Sequence, residues 1–594
     1  RLKTRTWTRT DKNDNRIVTT YDYDSATGNL LSTDYSDDTQ KISYTYTRNG
    51  RKKTVTDAAG QRTFDYTDEL LRKSETLDDE FYGTRVLSPS YDDLGRTDGF
   101  NINADNYAVS YGYDQFGRFN TLSMGAHSVS GEFLPNSNQL SRITRSNNVK
   151  TVVDYEPNRN LTASITHKKT TADNPLAAYS YDNDAIGRRT ARDQWGTAFN
   201  KDAPETVETI DYTYNARSEV TGAVAENDAD YDFGYSYDPI GNRLSSQEGA
   251  ETLSYNSNEV NQYTLIDDGS DPVSPSYDND GNMLSMKLES GEWSATYNGE
   301  NRLVKLEKSD RKLEFTYDYK GRRIEKKVYS GGPENWTLQS RHRFVYNGFR
   351  LVQKLDAFDE NNILVDQQFV WSLNDQLRLI VDTPNDDTYF VHHDANRNVT
   401  ELTKADGSPA AHYEYAPFGG ITAKSGDYAE QNPFRFSSEY FDIQSGLVYY
   451  NYRYYSSELG RWLNRDPIAE AGGLNLYIML NNSPIYMTDY LGNGLFDWAT
   501  TGQWSPSEEV KQGARQGLKE TRTGKALLWI TDYGAQTAEA AITSQAPTGF
   551  STLAGLGGVA EEGTKAGDSV VSKYERMRRE IEGDSSGSDE LTEI

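Results

Sequence analysis

The sequence predicts a mainly β fold of tandem hairpins that stack or spiral, followed by a short α-helical region. Three observations predict it. One tyrosine and aspartate phrase recurs, with variations, through most of the 594 residues; a dense apolar stretch replaces it from Arg465 to Asn493; and residues 494–594 switch to helix-forming composition. Repeats of 20 to 50 residues signal units that bury their faces only against neighbours.

The phrase is clearest at "YDNDGNML" from Tyr277, "YNGENRLV" from Tyr297 and "YDYKGRRI" from Tyr317, two successive steps of 20 residues. Related phrases start at Tyr91, Tyr113, Tyr181 and Tyr237, and a degenerate one at Tyr21. The leading Y-x-Y, as in Tyr235 and Tyr237, has the period of two that sets both rings on one strand face. The Asp next bonds backbone amides ahead of it and starts a turn, and the Gly a few residues on tolerates positive φ. A Leu, Ile or Thr then begins the return strand of a hairpin whose loop has about four residues. Asp92, Asp114, Asp238 and Asp318 are therefore read as turn formers. His392 and His393 stand in another copy of the phrase, where strand neighbours face opposite ways, and are not read as metal ligands.

Composition limits the rest. Hydrophobic residues make up 35%, and 42 residues are Tyr, whose hydroxyl requires a partner or water. A wide, thin sheet that stacks rings suits this better than several solid cores. The net charge of −28 and pI of about 4.7 exclude nucleic acid as a partner for the main body. There is no Cys, hence no disulfide or thiolate metal site, and no run of about 18 apolar residues to span a bilayer. The first residues, "RLKTRTWTRT", carry no initiator Met or signal peptide, so targeting information is expected upstream.

These phrases resemble the YD-repeat, or Rhs, family, which includes the C components of bacterial ABC toxin complexes and the teneurin shell. The resemblance implies that the repeats of residues 1–430 coil into a hollow β-shell, completed by an upstream segment or a partner shell protein. Residues 431–493 contain "FRFSSEYFDIQSGLVYYNYRYYSSELGRWLNRDPIAEAGGLNLYIMLNNSPIYMTDYLGN", which resembles the Rhs repeat-associated core domain. It keeps, in order, Y-Y-N-x-R-Y-Y, G-R-W-x-x-x-D-P-I, G-G-x-N-L-Y, N-N-x-P and D-x-L-G.

In toxin members that core resembles a single-turnover aspartic self-protease that frees a C-terminal cargo inside the shell. Carried over by position, its groups are Asp442, Asp466 and Arg453, with the cut between Asn493 and Gly494. Two carboxylates close together in a poorly solvated cavity cannot both ionise, so one serves as base and one as acid. On spacing alone the alternative stays open: Asp466 precedes Pro467 and Asp442 stands where each repeat keeps a turn Asp. The chain also departs from the family at its end, with Tyr490 in place of Pro and Asn493 in place of Leu. A buried, unpaired amide costs about 1 to 3 kcal/mol, which predicts a slow, absent or displaced cut.

Residues 494–594 read as a helical cargo or tail, with i, i+4 charge pairs in "PSEEVKQGARQGLKETRTGKALLWITDYG". All six His precede Gly494, which removes His-dependent chemistry from it. No cofactor is expected. The function expected is encapsulation and delivery of the C-terminal polypeptide by a secreted or cell-surface protein. A structural or adhesive protein that never cuts itself and a carbohydrate-binding module are the alternatives.

Overall fold

In the computed structural model the described residues are 1–492 apart from Lys12, Ala229, Asp230 and Tyr490, all within one compact unit, Arg1–Trp504. The expected helical tail and the Asn493–Gly494 bond lie outside the described residues.

Each strand of the repeats pairs antiparallel with its neighbours in sequence, giving one sheet of 23 strands and one of 14 among the described residues. The hairpin at Tyr237 explains the phrase. Asp238 Oδ1 accepts from the amides of Ile240 and Asn242 at 3.0 and 2.8 Å, Gly241 N donates to the Asp238 carbonyl at 3.1 Å, and Gly241 has φ +92°. The pairing skips a residue there, from Ser236 opposite Ser245 to Tyr237 opposite Arg243, the bulge that follows such a turn.

The tyrosine hydroxyls also find partners. Tyr237 donates to the Val220 carbonyl at 2.7 Å, Tyr113 to Thr97 at 2.8 Å, Tyr66 to Lys52 at 2.8 Å and Tyr297 to Met283 at 3.0 Å. The last tyrosine of one hairpin thus hooks back to the return strand of the hairpin before it. Phe would stack equally well but leave that carbonyl without this donor.

Contacts between the two sheets follow the order of a coil. Thr8 N donates to Asp280, 272 residues away, Tyr319 N to Asp57 across 262, Tyr107 to the Phe369 carbonyl across 262, Tyr179 to Glu401 across 222, and Tyr231 to the Tyr415 carbonyl across 184. Both residue numbers rise together, as in a wound strip; a strip folded back on itself would make one fall. The shrinking separation marks a tightening turn. Burial follows: strand Tyr107–Tyr113 is buried mainly at alternate residues of its first half, whereas Val399–Thr403, in the second sheet, is buried throughout.

Residues 434–492 form a small four-stranded sheet with irregular loops that dock on successive repeat turns. Asn482 donates to the Gly241 carbonyl at 2.8 Å, Arg461 to Asn261 at 2.8 Å, Tyr477 to Gly281 at 2.8 Å and Asn464 to Asn301 at 3.1 Å. The apolar stretch thus packs on the repeats, its Asn, Arg and Tyr side chains donating to turn carbonyls of successive hairpins. No helix of the described residues is long and apolar enough to cross a membrane.

Candidate functional site

Arg453 occupies the turn between strands Leu447–Tyr449 and Tyr454–Ser456. Its guanidinium is buried and stacks on Trp462, 4.1 Å from the ring centroid. From there it reaches three groups: Nη2 lies 2.8 Å from Asp466 Oδ2 and 3.9 Å from Asp489 Oδ2, and Nε donates to the Gly492 carbonyl at 2.5 Å. Burial pulls the guanidinium below its usual pKa, opposed by the two aspartates.

Asp466 is 9% exposed. Its Oδ1 accepts from Ile468 N at 3.0 Å, the turn that Asp-Pro starts, which leaves Oδ2 for Arg453. Burial raises its carboxyl above the ordinary range, only partly offset by Arg453. A side chain on Gly472 would come within 2.8 Å of Oδ2, so the G-G motif allows the loop to close over the carboxyl.

Asp489 holds the chain that runs to the expected cut. Its Oδ1 accepts from Leu491 N at 3.1 Å and Gly492 N at 2.9 Å. Tyr452 N donates to the Leu491 carbonyl at 3.0 Å. Gly492 has φ +69°, and a Cβ there would lie 2.9 Å from Tyr450 Cβ and 3.1 Å from its carbonyl oxygen, so only Gly fits.

Asp442, fully buried, has other company. Lys326 Nζ lies 2.6 Å and Arg323 Nη1 3.2 Å from Oδ2, and Ser445 donates to Oδ1 at 3.1 Å. Despite burial, these cations hold its carboxyl below the usual value, while burial pushes the Lys326 amine down to about 8. The structure therefore brings Arg453 and Asp466 together and sets Asp442 in a separate ion cluster. Sequence reasoning missed Asp489 and Gly492 as site residues, although D-x-L-G carried the signal: an Asp three residues before a Gly, ending a buried segment.

His392 accepts from or donates to Thr403 at 2.9 Å through Nε2, and its ring lies 4.9 Å from that of His167. Among the described residues no group of three His, Asp or Glu is placed to hold a metal.

Comparison with known proteins adds the family. The teneurin YD-shell family model matches residues 192–485. Toxin subunit YenC2 of Yersinia entomophaga is 35% identical over 128 residues, 20% of this chain and 13% of that one. Toxin protein Tse5 of Pseudomonas aeruginosa is 43% identical over 60 residues, 10% of this chain and 5% of that one. The crystal structure of TcdB2-TccC3-Cdc42 superposes on 85% of this chain and 28% of its own with a TM-score of 0.67 at 18% identity, which establishes the shared fold. Residues 192–485 carry the YD-shell repeats of the Rhs/YD-repeat family. The long antiparallel sheets of this chain are those of a YD shell, and the chain spans 13% and 5% of the length of those two toxin relatives and 28% of that structure's chain.

Proposed function

We propose that this chain is part of a toxin-complex shell that encloses a C-terminal polypeptide and frees it by one self-cleavage at Asn493–Gly494. The expected division into repeats 1–430, plug 431–493 and cargo 494–594 belongs to the same proposal, as does delivery outside the producing cell in company with a partner shell protein. The observation that carries it is the buried Arg453 guanidinium joining Asp466 to the Gly492 carbonyl, the last described backbone before the bond.

The geometry favours Asp489 over Asp442 as the second carboxylate. A water oxygen adds to the scissile carbonyl carbon while Asp489 takes its proton. Asp466, whose raised pKa keeps a proton available, gives it to the leaving amine as the C–N bond breaks. Arg453, which holds the Gly492 carbonyl one residue before the scissile one, orients the chain for attack. Asp442 anchors the plug to the shell.

Denaturing electrophoresis of the purified full chain tests this. The wild type is expected to release one C-terminal fragment, and Asp466→Asn and Asp489→Asn to stay whole. An intact wild type, or cutting in both variants, contradicts it.

A further inference from the structure

Arg323 projects from strand Arg323–Ser330 of the second sheet and is 1% exposed. Five plug or sheet rings surround its guanidinium: Tyr449 at 4.5 Å, Tyr440 at 4.6 Å, Phe344 at 5.0 Å, Phe315 at 5.6 Å and Tyr454 at 6.0 Å from the ring centroids. Its Nη1 donates to Tyr454 Oη and to Asp442 Oδ2, each at 3.2 Å, and its backbone N donates to Tyr449 Oη at 2.7 Å. Tyr449 and Tyr454 are paired across the two short strands whose connecting turn carries Arg453. One shell residue thus grips both sides of the base of the hairpin that presents Arg453 to Asp466 and Gly492.

We propose that Arg323 is a positioning residue for the self-cleavage, a pin supplied by the shell that orients the Arg453 hairpin and makes cutting conditional on the second sheet having wound into place. The proposal rests on the self-cleavage reading above. Its partners lie 119 to 131 residues further along the chain, so the grip forms only after the plug has docked against that sheet. A guanidinium suits the place because Nη1 serves two acceptors while the planar group stacks on rings, whereas an ammonium meets a ring only as a compact point charge. The pin also sets acidity at a distance: Arg453 lowers the Asp466 pKa that burial raises, so a displaced Arg453 lets that pKa climb further.

The test is pulse–chase of the full chain at several pH values, reading the cut fraction against time below the melting temperature of every variant. Arg323→Lys is expected to cut at least tenfold more slowly, with the pH midpoint assigned to Asp466 moved upward. Tyr454→Phe, which removes one hydroxyl, is expected to move the midpoint the same way by less, and it serves if Arg323→Lys does not fold. Leu313→Ala, a buried position in the same sheet, controls for lost stability and is expected to keep the wild-type midpoint. A wild-type midpoint in Arg323→Lys and Tyr454→Phe overturns the pin, provided Asp466→Asn stays whole. Cutting by Asp466→Asn overturns the self-cleavage reading and the pin with it.

Discussion

Asp442 and Asp466 both sit in the plug, both are buried and both pair with arginine, yet their surroundings drive them opposite ways. Asp442 faces two cations, with Lys326 at 2.6 Å and Arg323 at 3.2 Å, and is held ionised. Asp466 shares the single guanidinium of Arg453 with Asp489 and a backbone carbonyl, and burial raises its pKa. What differs is the balance of cation to carboxylate: a surplus of positive charge makes an anchor, and a shared one leaves a carboxyl able to move a proton.

The largest effect is expected at Arg453. Arg453→Met removes the group common to Asp466 and the Gly492 carbonyl and is expected to slow cutting about 100-fold or more, read as loss of the C-terminal fragment. Gly492→Ala comes next. Its methyl meets Tyr450 and its positive φ is strained, which shifts the chain off Arg453; cutting is expected to fall about tenfold to 100-fold.

Asp442→Asn should do the reverse. It leaves two buried cations without their counter-charge, so the chain is expected to lose about 3 kcal/mol or more in denaturant unfolding while cutting persists wherever the fold does. Loss of cutting at full stability in this variant would return Asp442 to the catalytic pair.

Acid titration sharpens the contrast. The folded pKa of Asp442 lies below the unfolded value near 3.8, so its stabilisation holds above that pH and is lost as pH falls through the folded pKa. The folded pKa of Asp466 is raised, so its contribution is complete below 3.8 and is lost as pH rises through the folded value. Melting curves are expected to show Asp466→Asn gaining most over wild type near neutral pH and Asp442→Asn losing least at the most acidic pH at which the chain stays folded. The smallest effect belongs to the repeats: Tyr237→Phe removes one hydroxyl bond to Val220 and is expected to cost about 1 kcal/mol, read as a small shift in unfolding midpoint.

The hairpins were legible in the sequence because everything that shapes them is local. Asp238 caps its own turn, Gly241 takes the positive φ, and the Tyr period puts rings on one face. The hook of Tyr237 to Val220 needs only the neighbouring hairpin, and the coil follows from repeating it. The site was half legible. Arg453 and Asp466 lie 13 residues apart, in a turn of the small sheet and in the loop just after its last strand, and motif order is enough to single out both. The partner of each aspartate was not legible, because Asp442, Asp466 and Asp489 all look like turn formers from their own neighbours. Asp442 meets Arg323 across 119 residues of winding sheet, and no local pattern encodes that distance.

The self-cleavage proposed above requires the plug to cut the chain it holds. Intact-mass measurement of the purified 594-residue chain tests it most directly: a C-terminal fragment beginning at Gly494 is expected in the wild type and none in Asp466→Asn. A single uncut species of 67.0 kDa in the wild type, or the same fragment in both proteins, would contradict it.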